Sequence, residues 1–190
     1  TFGNLFIAAV SDILGSQKEA IEETCKLLGV NGTILPVSYD KTSLVATYED
    51  GTEVLGEHYI DASSGKLAKL PLPDLRTIPK VKIDQDTKLA IMKADMIILG
   101  PGDLYTNTIA NLAVLGVRES IESSMAKVVF VMNLMSRAGE TYGYKASDFM
   151  NDLSKYLDPT RLDYIVINVE TSHSPAVLKK YADEGSIPVE

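Results

Sequence analysis

The sequence predicts an α/β chain of the doubly wound kind, with a mainly parallel sheet and one small antiparallel hairpin excursion. Three observations lead there. From residue 85 onward, short apolar runs alternate with single amphipathic segments at intervals of about 30 residues, the spacing of successive βαβ units. Such crossovers are right-handed and build a parallel sheet with helices on its faces. The run "MIIL" reads as a short strand buried on both faces, as in a parallel sheet, and "KVVFVMN" and "DYIVIN" read as the strands that follow it. Asp50-Gly51, by contrast, separates two alternating segments and signals a hairpin.

Residues 3–14, "GNLFIAAVSDIL", read as a helix capped by Asn4, apolar on most sides and therefore expected to be buried. Gly15 and Ser16 separate it from a second helix at 17–28, closed by Gly29. Cys25 in that helix reads as a small core residue. "GTILPVS" and "TSLVATYEDGTEVLGEHYI" have alternating or β-branched character and form the antiparallel excursion, with His58 in the hairpin. Residues 61–84 carry Pro71, Pro73 and Pro79 and read as an extended connector. Residues 31–84 are thus a hairpin and connector inside a single domain spanning 1–190. A helix "DTKLAIMKA" leads to a strand at 95–99, and one helix over "TIANLAVLGVRESIESS" to a strand at 127–133. The helix "KASDFMNDLSKYL" then leads to a strand at 163–168, and "SPAVLKKYADEG" closes the pattern.

The chain has 190 residues, 45% of them apolar and 23% charged, which suits one ordinary globular domain with a sizeable core. A net charge of −8 argues against a nucleic-acid binder that works through the phosphate backbone. A local nucleotide pocket is compatible with it, since one phosphate needs only a few N–H groups. Cys25 is the single cysteine, so there is no internal disulfide and no cysteine zinc site. No apolar run approaches a membrane span and no signal peptide is visible, which makes the cytoplasm the expected compartment.

In open α/β sheets, ligands bind outside the carboxyl ends of the strands. Those ends here are "GPGDLYT", "NLMSRAGETYGY" and "NVETSHS", each rich in residues offering backbone N–H groups or short polar tips. In the first, Gly100, Pro101 and Gly102 stop the strand, and Asp103, Thr106 and Asn107 are candidate N-caps. A strand, a glycine turn and a helix start together suit an anion; a plain tight turn is the competing reading. There is no GxGxxG and no Walker lysine. Asn133 and Asn168 end their strands at matching positions, as pocket residues or as caps of the loops that follow. Glu140, Thr141 and Tyr144 form either an N-cap cluster or a sugar and base contact, with Tyr144 offering a stacking face. His58 and His173 lack a neighbouring nucleophile or metal-ligand spacing. Glu22, Glu23, Asp84 and Asp86 read as solvated faces or caps. No catalytic triad, metal site or cofactor motif can be argued.

Taken in order, "GNLFIAA", "EDGTEVLGE", "ILGPGDLYTNTIANL", "NLMSRAGETYGYKASD" and "LDYIVIN" resemble the YvcK-type gluconeogenesis factor family, the bacterial branch of the CofD-like superfamily. The resemblance implies a Rossmann-like fold and binding of a UDP-sugar, UDP-N-acetylglucosamine above all. It also implies a regulatory link to gluconeogenic growth, cell shape and envelope synthesis. The other branch, 2-phospho-L-lactate transferase, moves a phospholactyl group onto a deazaflavin with a divalent metal. "GPGDLYT" is similar to the bacterial GPGSLYT pattern, with Asp103 in place of Ser, whereas the transferase branch has a Pro-Ser-Asn-Pro type of loop. "NLMSRAGET" is similar to NLMTQPGET. The ligand-site residues implied are Asn4, Gly100, Gly102, Thr106, Asn133, Thr141 and Tyr144, with no catalytic residue among them.

The family's leading strand with its GGGTG-like loop and its Asp-Asp-Gly-Gly-Ser motif do not occur here. The chain is therefore expected to lack the family's N-terminal portion. A sheet edge left open in that way favours pairing with another chain, and a homo-oligomer is expected. Three functions stay open: a nucleotide-sugar-binding regulator, a transferase of phosphorylated groups, and a scaffold with a vestigial pocket.

Overall fold

The computed structural model describes residues 2–61, 67, 70, 72, 74–170 and 174–189. The expectations for Pro71, Pro73 and His173 lie outside those residues. In chain order the helices are α1 (Phe2–Leu14), α2 (Gln17–Leu27), α3 (Glu57–Asp61), α4 (Gln85–Lys93), α5 (Ala110–Leu112), α6 (Val117–Ser123), α7 (Ala146–Leu153) and α8 (Pro175–Asp183). The strands are β1 (Ser43–Thr47), β2 (Glu53–Leu55), β3 (Asp74–Ile78), β4 (Met96–Leu99), β5 (Lys127–Val131) and β6 (Tyr164–Val166). They form two sheets: an antiparallel one ordered β2-β1-β3 and a parallel one ordered β4-β5-β6. The Rossmann-like α/β class is thus observed, with helices between successive parallel strands.

Local chemistry explains most boundaries. Ser16 starts α2 by accepting the Glu19 N–H at 3.2 Å, and Gly29 follows it at φ +63°. Asp84 caps α4 through the Asp86 N–H at 2.9 Å. The hairpin turns at Gly51, where the Asp50 carboxylate accepts the Thr52 N–H at 3.1 Å. In the parallel sheet, Ile97 pairs with Val128, and Phe130 with Ile165. Asp163 anchors the entry to that sheet, accepting from Lys127 at 2.6 Å and from the Val128 N–H at 2.9 Å. One apolar core serves both sheets: Ala46, Tyr48 and Leu75 belong to the same cluster as Val128, Phe130 and Phe149.

Several expectations are corrected. Asn4 lies inside α1 and does not cap it. That helix is not buried: it packs against α2, while Phe2, Leu5 and Ile13 are exposed, because the described residues cover only one of its sides. Cys25 is half-buried rather than core. "GTILPVS" forms no strand. Part of the connector does: β3 pairs along all of β1, with Arg76 donating to Thr47 at 2.8 Å and Glu53 at 2.6 Å. His58 sits in α3, beyond the hairpin. β4 is not covered on both faces, since Met96 is 54% and Ile98 59% exposed. The single helix expected after it breaks at Gly116, at φ +97°, where a Cβ would come within 2.7 Å of Ile83.

Candidate functional site

At the carboxyl end of β4 the chain turns through Gly100 at φ +77°, and the Gly100–Pro101 bond is cis. A Cβ on Gly100 would stand 2.8 Å from the Val131 carbonyl oxygen at the end of β5, so this position takes glycine for two separate reasons. Gly102 differs: a Cβ there would meet Asn107 at 3.4 Å, an ordinary to slightly tight contact. A π-helical turn over Leu104–Ile109 follows and buries every residue but Asn107. Wide turns of this kind often occur at functional sites. Gly100, Pro101, Gly102, Asn107 and Asn111 line a cavity of 380 Å³ together with apolar residues such as Val37 and Ile91. The Asn111 amide donates to the Asn107 carbonyl at 2.6 Å, which fixes their mutual spacing.

Behind the loop lies a buried polar layer. Glu140 is 2% exposed and accepts the Tyr105 N–H at 3.0 Å and the Thr106 hydroxyl at 2.6 Å. It therefore ties the loop after β5 to the loop after β4. Burial pushes its carboxyl above the ordinary range, and the two hydrogen bonds oppose that only in part. Arg137, at the start of the same segment, forms an ion pair with Asp103. Its N–H donates to the Thr141 hydroxyl at 3.0 Å, and its carbonyl accepts the Thr141 N–H at 2.9 Å. Deeper still, Asp152 accepts from the Tyr105 phenol and from the Tyr144 phenol at 2.6 Å, and pairs with Lys155. Burial, with Asp152 alongside, pushes both phenols far above their ordinary range, so they stay protonated and act as donors.

The raised Glu140 carboxyl has a measurable consequence. The folded state holds this proton to higher pH than the unfolded state does, so the contribution of the group falls as pH rises from its ordinary 4.5 through the folded value. Glu140→Gln keeps an acceptor for the Tyr105 N–H and a donor for Thr106 without a charge to bury. Its urea midpoint is expected to decline less than the parent's between pH 5 and pH 7. Parallel declines would show that Glu140 is not the group responsible.

The expected site residues separate into three sets. Gly100 and Gly102 line the cavity. Thr106, Thr141 and Tyr144 sit in the layer behind it. Tyr144 turns its ring edge-to-face onto Phe149, with centroids 5.6 Å apart, instead of offering a face to the cleft. Asn133 is half-buried two residues beyond β5. Asn168 is exposed, and its amide closes a turn on Glu170 at 3.1 and 3.2 Å, which favours the capping reading. Asn4 is apart from the rest, lining a groove with Ile7, Ser11 and Asp12. Asp103 starts the turn after β4, but its side chain pairs with Arg137 rather than capping. Thr106 and Asn107 lie within the turn and cap nothing.

Asn107, Asn111, Arg137 and Asp152 escaped the sequence reading as ligand-site or supporting residues. The two asparagines stand one helical turn apart, a signal hidden while the segment is read as one helix starting near residue 108. Asp152 and Lys155 look like an exposed helical ion pair until Tyr105 is placed beside them. Among the described residues no group of three or more His, Cys, Asp or Glu side chains is arranged to hold a metal ion. No helix among them is long and apolar enough to cross a membrane.

Comparison with known proteins adds a family. The model of the family described as 2-phospho-L-lactate transferase CofD matches residues 1–190. A Thermotoga maritima protein provisionally named a gluconeogenesis factor is 42% identical over 191 residues, covering 100% of this chain and 58% of its own length. A gluconeogenesis factor of Halalkalibacterium halodurans is 37% identical over 189 residues, covering 100% of this chain and 57% of its own length. A crystal structure of a Bacillus halodurans protein, described as a member of the UPF0052 family, superposes with a TM-score of 0.90 at 37% identity. That match covers 100% of this chain and 60% of the other. The chain thus spans less than two thirds of the length of the relatives it matches.

Proposed function

Because this chain belongs to the CofD family, with relatives named gluconeogenesis factors, we propose that it binds a nucleotide sugar of the UDP-N-acetylglucosamine type at the glycine loop after β4. The binding serves regulation during gluconeogenic growth, with outputs in cell shape and envelope synthesis. One observation carries the reading. Gly100, Gly102, Asn107 and Asn111 line a single cavity, at the strand end where open α/β sheets take their ligands. The diphosphate would approach the backbone at Gly102, which carries no side chain of its own, and the amides of Asn107 and Asn111 would meet ribose or sugar hydroxyls. The apolar residues of the lining suit a base or a sugar face.

Calorimetric titration of UDP-N-acetylglucosamine tests this, with Gly102→Val as the diagnostic variant. The space at Gly102 accommodates a small side chain at little cost to the fold, yet a β-branched one would occupy the approach. Affinity is expected to fall about tenfold or more while the denaturation midpoint stays near the parent's. Equal binding by Gly102→Val would remove the loop from the site.

A second reading is favoured by the family's own description: transfer of a phosphorylated group from a nucleotide diphosphate-linked substrate. The same loop would then hold the diphosphate linkage as its P–O–P bond breaks, the phosphorylated group passing to the acceptor hydroxyl and the nucleoside monophosphate leaving. Turnover of a nucleotide substrate that depends on an added divalent metal separates the two readings, since a regulator only binds.

A further inference from the structure

The lining of the cavity beside the glycine loop is uneven in exposure. Pro101, Asn107 and Asn111 are exposed, whereas Leu112, Val117 and Ile121 are 6%, 4% and 2% exposed. Among the described residues no charged side chain lines it. Thr108 belongs to the buried part: it lines the cavity and is 9% exposed. Its hydroxyl has no hydrogen-bond partner among the described residues. The other threonine of the lining differs, since the Thr87 hydroxyl donates to the Pro36 carbonyl at 2.8 Å. Nor is the Thr108 hydroxyl shut in, as the orphaned Thr77 Oγ1 of β3 is. The space open to it is the cavity. A hydroxyl set among aliphatic side chains contributes nothing to the fold while unpaired, and a valine of the same shape would serve packing as well.

Resting on the nucleotide-sugar reading above, we propose that Thr108 is a specificity residue that reads the edge of the ligand's uracil, and that the base occupies the buried part of the cavity. A uracil ring has two apolar faces and keeps its polar groups on its edge, so aliphatic walls with one hydroxyl suit it. A hexose does not suit them, because nearly every carbon carries a hydroxyl and one partner leaves the others unpaired. The Thr108 hydroxyl both donates and accepts, so it serves a ring carbonyl or a ring N–H. The ribose and sugar then lie outward beside the exposed Asn107 and Asn111. The diphosphate stays at the Gly102 backbone, away from the uncharged buried part.

The test is calorimetric titration of the full chain and two variants with UDP-N-acetylglucosamine and, separately, with UDP, alongside urea denaturation. Thr108→Val is expected to weaken both ligands by the same factor, about tenfold, because the base is common to them. Thr108→Ser keeps the hydroxyl and is expected to bind close to the parent. The urea midpoint of Thr108→Val is expected at or above the parent's, since no hydrogen bond within the described residues is lost. A midpoint clearly below it would show that the hydroxyl serves the fold and would overturn the proposal. A loss for UDP-N-acetylglucosamine without one for UDP would show that the hydroxyl meets the sugar, and the orientation falls. It falls equally if the parent binds UDP-N-acetylglucosamine and not UDP. If Thr108→Val binds as well as the parent, or Thr108→Ser as weakly as Thr108→Val, the assignment to this hydroxyl is overturned and the glycine-loop reading stands. If the parent takes neither ligand, the nucleotide-sugar reading itself falls, and this inference with it.

Discussion

Gly100→Ala is expected to lower the stability of the chain by about 3 kcal/mol, from a left-handed backbone forced on a residue with a Cβ and from a clash that must be relieved. Both causes are present at one atom: φ is +77°, and the new Cβ would lie 2.8 Å from the Val131 carbonyl oxygen. That oxygen is backbone at the end of a paired strand, so it cannot swing aside as a side-chain tip could. Relief would have to come from moving the glycine loop, which would also carry Gly102 and Asn107 out of register with the cavity. Urea denaturation should therefore show a lower midpoint, and calorimetry a loss of the proposed nucleotide-sugar binding beyond what unfolding explains. Gly102→Ala, where the contact is 3.4 Å, is the control and should cost well under 1 kcal/mol. Similar midpoints for the two variants would mean that the turn at Gly100 is not held as described.

Asp152→Ala should be the other severe change, at about 3–5 kcal/mol. The buried phenol of Tyr105 and the half-buried one of Tyr144 donate to this one carboxylate, and a buried donor left without an acceptor costs about 1–3 kcal/mol. Lys155 adds a third partner from a half-exposed position, where a salt bridge is worth less than about 1 kcal/mol. Lys155→Ala should consequently be mild. Asp152→Asn keeps one acceptor oxygen and should fall between them. Equal losses for Asp152→Ala and Lys155→Ala would show that the phenols find other acceptors. Because Tyr105 lies in the turn that supplies Asn107 to the cavity, the Asp152 variants should also weaken ligand binding at temperatures where they remain folded.

The parallel sheet was readable because its strands are apolar runs at βαβ spacing, a pattern that βαβ connectivity alone imposes. The hairpin was readable because Asp50-Gly51 has one efficient conformation. β3 was not, since Pro71, Pro73 and Pro79 crowd its flanks and its partner β1 is some 30 residues away. The same limit applied to the site. Gly100 and Gly102 announced themselves through local backbone chemistry. Glu140, Thr141 and Tyr144 were noticed, yet their inward orientation depends on Tyr105, Thr106, Asp152 and Phe149, none of them near in sequence except the last two. Asp103 and Arg137 form a pair only because β4 and β5 are neighbours, the two residues being 34 positions apart in the chain. Asn4 was grouped with the loop residues by motif resemblance, and the structure places it on a different groove.

The two sheets differ in when they can be completed as the chain leaves the ribosome. Apart from the β1–β2 hairpin, the ladders close over about 30 to 35 residues, as with Val45 and Arg76, Ile97 and Val128, or Phe130 and Ile165. The ties between the sheets reach much further: the Leu75 N–H to the Tyr156 hydroxyl spans 81 residues, and the Tyr48 hydroxyl to the Gly139 carbonyl spans 91. A nascent chain that has emerged to about residue 100 can therefore hold its finished antiparallel sheet with Ala46, Tyr48 and Leu75 still uncovered, since Phe149 and Leu153, which share their core, have not yet appeared. During that interval of translation the antiparallel sheet keeps an apolar face open to solvent, which core residues later in the chain go on to close.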